Sequence, residues 1–134
     1  MDIKVTSKID VEKARREVEK AMLKGLSGAA VIVHSAAVQN ATPSVQTGRL
    51  RASIAFRVED DAPKGMQSVP TSRSDDSRIS SAGKMTAVVG TNVEYAASVE
   101  FNSKRSRGYL TKALELNKAN VQRYFADAVK GVLR

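Results

Sequence analysis

From Val11 to Ala36 apolar side chains return every three or four residues, at Val11, Ala14, Val18, Ala21, Met22, Ala29, Ile32, Val33 and Ala36. That period places them along one side of an α-helix and leaves Glu12, Arg16, Glu19 and Lys20 for the wet side. A helix from about Asp10 to about Gln39 is on the order of 45 Å long at its rise of 1.5 Å per residue. In a chain of 134 residues a rod of that length decides the shape, because every other element must find room along it. Gly25 and Gly28 interrupt the stripe. Each costs roughly 1 kcal/mol relative to alanine in a helix interior, so the pair predicts either a kink or a place where another backbone comes close. Thr42-Pro43 ends the helix, since the residue before a proline is driven out of the α region.

Ahead of the helix, Ile3 and Val5 alternate with polar neighbours, which predicts a short strand at 3–6 before Ser7 or Asp10 offers an N-cap. Behind it, Val45-Gln-Thr-Gly-Arg-Leu-Arg-Ala-Ser-Ile54 reads as a one-turn elbow. Thr47 caps the amides that follow, Gly48 supplies a backbone angle that other residues avoid, and Leu50 buries as the anchor of the turn. Ile54, Phe56 and Val58 then alternate as a half-buried strand over 53–59, and Met85 to Gly90 predicts a second strand ending on glycine. Residues 60–84 between them are rich in Ser, Asp, Pro and Gly and predict a long flexible hairpin loop with little to bury. Tyr95, Val99 and Phe101 can share one face of a short helix. Leu110, Ala113, Leu114, Val121, Tyr124, Phe125, Ala128, Val129, Val132 and Leu133 give a broad helical stripe from about Gly108 to the end. The expectation is one α+β domain over 1–134: a long N-terminal helix and a C-terminal helix packed on a small, mainly antiparallel sheet with a long hairpin loop. At this length it can bury roughly two-thirds of its unfolded surface.

Chemistry finds little foothold. Without cysteine there is no disulfide or thiolate site, which fits a reducing compartment. His34 is the sole histidine and reads as structural. Glu94 and Glu100 are the only carboxylates of their segment and read as ion-pair partners for Arg49 or Arg51 rather than as an acid–base pair. Gly25-Leu-Ser-Gly28 lacks the Gly-Lys-Ser/Thr ending of a phosphate loop. No catalytic, metal or cofactor site is expected. No run of 18 apolar residues occurs, so neither a signal peptide nor a membrane partner is expected. The net charge of +8 points to an acidic partner. Its distribution is uneven, −2 across 85–101 and +6 across 102–134. Lys104, Arg105 and Arg107 beside Tyr109 could grip phosphates, and a small basic nucleic-acid-binding protein is the alternative function. A solvated loop or a protein interface is the more ordinary reading of the same cluster.

Four motifs in series suggest a family. Thr47-Gly48-Arg49-Leu50-Arg51-Ala52-Ser53-Ile54, then Val89-Gly90-Thr91-Asn92-Val93-Glu94-Tyr95-Ala96, then Val99-Glu100-Phe101, then Tyr109-Leu110 with Ala113-Leu114 together resemble the minor head–tail joining proteins of long-tailed double-stranded DNA phages, also called neck or tail-completion proteins. The likeness covers about residues 3–133. The chain departs from the family at Ala97-Ser98, where a proline and an aromatic are usual. It departs again at Asn102, where glycine is usual, and at Gly108, where a proline commonly opens the last helix.

The resemblance implies a non-enzymatic ring subunit of the virion neck, with on the order of six or twelve copies. Portal or head-closure proteins would lie on one side, tail tube or tail terminator proteins on the other, and DNA would pass through the channel unread. Arg49, Arg51, Glu94, Glu100, Lys104, Arg105 and Arg107 are then the expected subunit or partner contacts. Thr47, Gly48, Leu50, Gly90, Tyr95, Phe101, Tyr109 and Leu110 are the expected turn and core positions.

Overall fold

A 40-residue helix, α1 (Asp2–Ala41), is the floor on which the other elements lie. The computed structural model describes residues 2–42, 48–104 and 106–133. After α1 come α2 (Arg49–Ser53), β1 (Ala55–Val58), β2 (Ala87–Gly90), α3 (Ala96–Asn102), α4 (Tyr109–Leu116) and α5 (Lys118–Leu133). The strand expected at 3–6 is instead the opening of α1. Two alternations in four residues weigh little against a helix already nucleated next door, to which each added residue contributes a bond at no further nucleation cost.

α1 runs through both glycines without a break, which decides between the two readings of that pair. A Cβ on Gly25 would lie 2.8 Å from Cδ2 of Phe125 and 3.3 Å from its Cα, and one on Gly28 would lie 2.0 Å from Cε1 of Tyr124. The glycines form a notch into which α5 is pressed. By length and composition Val11–Ala41 could also cross a membrane, with a mean hydropathy of 1.5 over its best window. In the structure 28% of that window is buried, and its notched face lies against α5.

The single C-terminal helix expected from the stripe is two helices. Asn117 separates them, its Nδ2 donating to the carbonyl of Ala113 at 2.9 Å. β1 and β2 pair antiparallel, Ala55 opposite Gly90 and Val58 opposite Ala87. On the other side of β1, Phe56 and Lys64 exchange both backbone hydrogen bonds at 2.9 Å. The core gathers Val33, Ala37 and Ala41 of α1 with Leu50, Ile54, Val93, Tyr109 and Ala113. Tyr109 and Ile54 are its largest fully enclosed side chains, and burial pushes the Tyr109 hydroxyl up to about 12. Tyr95 and Phe101, expected in this core, are exposed, Phe101 by 67%. α3 has seven residues, and its inward positions are filled by Val99 and Glu100. Residues 60–84 form no strand or helix beyond the bridge at Lys64. They nevertheless bury Asp76, Ile79 and Ala82, which corrects the expectation that this segment has little to bury.

The notch makes a signed prediction. Gly25→Ala should lower the melting temperature although alanine is the better helix former, because its Cβ meets Phe125. Gly131→Ala, with nothing within 4 Å of its Cβ, should raise stability by up to about 1 kcal/mol. Thermal unfolding of the two variants checks both signs.

Candidate functional site

Gly48 enters α2 with φ at 80°, in the left-handed region that a side chain makes strained. The turn it permits sends Arg49, the next residue, inward, where the side chain is 9% exposed. Its Nε and Nη2 donate to Oδ2 and Oδ1 of Asp76 at 2.9 and 2.8 Å. Its Nη1 and Nη2 donate to Oε1 and Oε2 of Glu94 at 3.0 and 2.9 Å. The guanidinium carbon also lies 5.6 Å from the centre of the Tyr95 ring. One planar fork therefore holds two carboxylates bidentately, the geometry that arginine supplies and lysine cannot.

Each arm of this clamp belongs to a different part of the chain. Asp76 is 5% exposed and comes from the irregular 60–84 segment. It is turned inward by the Arg73 amide, which donates to Oδ2 at 2.9 Å. Its carbonyl accepts from the Asn92 amide at 2.7 Å, which ties the segment to the turn before α3. Glu94, on that turn, has an exposed side chain and a second, longer contact to Arg73 at 3.7 Å. Hydrogen bonds from Arg49 hold the Asp76 carboxyl below its ordinary range, against the opposing effect of its burial. The same donor lowers Glu94, and Arg49 itself is held more firmly protonated. Two carboxylates fixed as acceptors on a permanent cation are poor proton shuttles, and the constellation works as a rivet.

Glu100 has a separate task. It is buried and accepts hydrogen bonds from the amides of Leu110 and Thr111 at 3.0 and 3.1 Å and from the Thr111 hydroxyl. Those are the orphan donors at the start of α4. Burial pushes the carboxyl up, yet the Thr111 hydroxyl and the two amides outweigh it and leave Glu100 below its ordinary value. Expected on a subunit surface, Glu100 instead caps a helix inside its own chain. His34 donates from Nε2 to the carbonyl of Ile54 at 2.8 Å and meets Phe56 edge-on at 5.4 Å, a packing role. Arg51 is half-buried, and among the described residues its Nε is enclosed without a hydrogen-bond partner. Lys104 and Arg107 are exposed, and Nε of Arg107 donates to the Phe101 carbonyl at 3.0 Å. Thr47 and Arg105 lie outside the described residues. Leu50 and Tyr109 are buried, Leu110 packs on the core from its edge, and Gly90 closes β2.

The clamp residue that sequence reasoning missed is Asp76. It stands in a run of serines and aspartates that resembles solvated linker, and only the second of the two adjacent aspartates turns inward. Among the described residues no cluster of histidine, aspartate or glutamate could hold a metal ion. An apolar slot of about 410 Å³ opens between β2 and α4 over the middle of α1.

The lowered carboxylates set the acid response. Their folded pKa values lie below the unfolded ones, so the clamp contributes fully above about pH 5 and its contribution is lost as pH falls through the folded values. Asp76→Asn should lower the neutral-pH melting temperature more than Glu94→Gln, and should flatten the loss seen on acidification. Glu100→Ala should cost on the order of 1–2 kcal/mol at neutral pH through the uncapped α4, measurable by urea titration.

Residues 8–101 fit the family model HK97-gp10-like, described as a bacteriophage HK97-gp10 tail component. The matched stretch runs from α1 through α3 and so includes the notch, the elbow, both strands and the clamp. No curated protein and no solved structure matches the chain.

Proposed function

Because the chain belongs to the HK97-gp10-like family of bacteriophage tail components, we propose that it is a ring-forming subunit of the virion neck. In this reading several copies close around an axis between the portal-bearing head and the tail. Head-closure proteins lie on one side and tube or terminator proteins on the other, and DNA passes through the opening without sequence readout. The observation that carries the reading is the family match itself, which takes in every element that shapes the subunit up to α3.

The surface of the single subunit supports it. Val31, Phe101, Leu114 and Leu116 are exposed, Leu116 by 78%. Large apolar side chains exposed on the single chain are what an assembly can cover. The exposed cations Lys104 and Arg107 stand on the segment between α3 and α4, where they can meet an acidic face of a neighbouring virion protein. Such rim charges fix register more than they add affinity.

Native mass spectrometry and negative-stain microscopy of the purified protein test the reading. The expected result is one fixed stoichiometry above a threshold concentration, with a central opening. A protein that stays monomeric at every concentration and binds duplex DNA with a steep salt dependence would overturn it in favour of the nucleic-acid-binding alternative.

A further inference from the structure

The slot beside β2 is bounded on three sides. Leu26, Ala29 and Val33 of α1 form its floor, Ala87 and Val89 of β2 one wall, and Leu110 and Leu114 of α4 the other. Phe56 turns its amide and carbonyl toward Lys64, so its cross-strand partner Val89 stands in a pair without mutual hydrogen bonds. In an antiparallel ladder that points the amide and carbonyl of Val89, and those of Ala87 two residues earlier, away from β1 and along the slot. Among the described residues no backbone or side-chain group bonds them. Edge strands are normally blunted by charge, proline or a bulge, and Ala-Val-Val-Gly has none of these. Unmet backbone groups beside apolar walls are complemented by one kind of object, an extended backbone with apolar side chains.

This same chain carries a short irregular stretch at the opposite edge of the same sheet, where the Gln67 amide donates to the Ala52 carbonyl at 2.8 Å and Val69 closes a turn with Ser72, so that among the described residues the backbone groups of Met66 and Ser68 are the ones left to pair elsewhere. Beyond the bridge at Lys64 the chain continues through residues 65–72 outside any helix or strand. That stretch is Gly-Met-Gln-Ser-Val-Pro-Thr-Ser, without a charge, in a segment that otherwise carries both signs. Met66 is 43% exposed, and methionine adapts readily to an irregular apolar wall. We propose that residues 66–68 of a neighbouring copy lie along the open edge of β2, pair through the backbone groups of Met66 and Ser68 and place the Met66 side chain in the slot, so that the sheet runs from one subunit into the next. Receiving edge and donating segment differ, so the contact is head-to-tail and closes into a ring at the right rotation. The proposal rests on the ring reading and names the contact that builds it.

The chain lacks cysteine, which allows a clean test. The double variant M66C and L114C changes two exposed side chains that the proposal brings together between copies. A short thiol-reactive cross-linker applied to the assembled double variant should give a ladder of covalent multimers on a denaturing gel, whereas each single variant should give nothing beyond a dimer. In parallel, Ala87→Lys places a charge on the receiving edge and should raise the concentration for half-assembly at least about tenfold with the circular dichroism spectrum unchanged. Intact assembly by native mass without a ladder, or assembly unaffected by Ala87→Lys, overturns strand addition and leaves the ring reading standing. A protein that never assembles overturns both.

Discussion

The contact between the glycine notch of α1 and the Tyr124–Phe125 pair of α5 sets the distance at which the rest of the fold is built. Two helices of ordinary composition pack with their axes 8–10 Å apart. Gly25 and Gly28 remove the side chains that would hold α5 off, and a Cβ at either position would run into an aromatic ring. With α5 seated, the break at Asn117 turns α4 back along the same floor. Tyr109 at the start of α4 then reaches the centre of the core beside Ile54. The two C-terminal helices thus pack on α1, and the sheet and elbow occupy what is left of it.

The Arg49 clamp plays a different part. Burying an ion pair gives little net stability compared with packing apolar groups of the same volume, so its value lies in what it joins. The elbow, the irregular 60–84 segment and the turn before α3 are held at one guanidinium. Each also buries apolar side chains, Leu50 in the elbow, Ile79 and Ala82 in the segment and Val93 in the turn, and the guanidinium fixes them relative to one another. Removing the cation would strand Asp76 in a buried site without a counter-charge, whereas removing Glu94 would vacate only the exposed side of the fork. Residues 64–72 are held separately, by Phe56 at Lys64 and by Ala52 at Gln67, with Met66 exposed.

Much of the fold was legible in the sequence where one periodicity persisted long enough to exclude others. The stripe of α1, the alternation of β1, the β-branched run of β2 and the left-handed glycine of the elbow all appear where their residues predict them. Reading failed where the signal was short or non-local. Four residues at 3–6 fit a strand as well as a helix, and their neighbour decided. Phe101 looked like a core anchor by residue type, but a seven-residue helix has room for one inward face, and Glu100 holds it because α4 needs a cap. Asp76 meets Arg49 across 27 positions, and nothing in a serine-rich run marks which carboxylate will be buried. Glu94 and Arg49 were visible as opposite charges; their shared fork with Asp76 was not.

An open strand edge, an apolar slot and exposed leucines on α4 are the features that the proposed ring would cover, and their covering by copies of the same chain is the central claim. A cryo-EM map of the assembled protein, resolved to side chains, tests it most directly. The account predicts a closed ring with one repeated head-to-tail contact. In each subunit density from the next copy should continue the sheet beyond β2 and fill the slot over Leu26, Ala29 and Val33, with Arg49 still clamped within its own chain. A map in which identical patches meet across two-fold axes, or in which the edge of β2 faces solvent in every subunit, would contradict it.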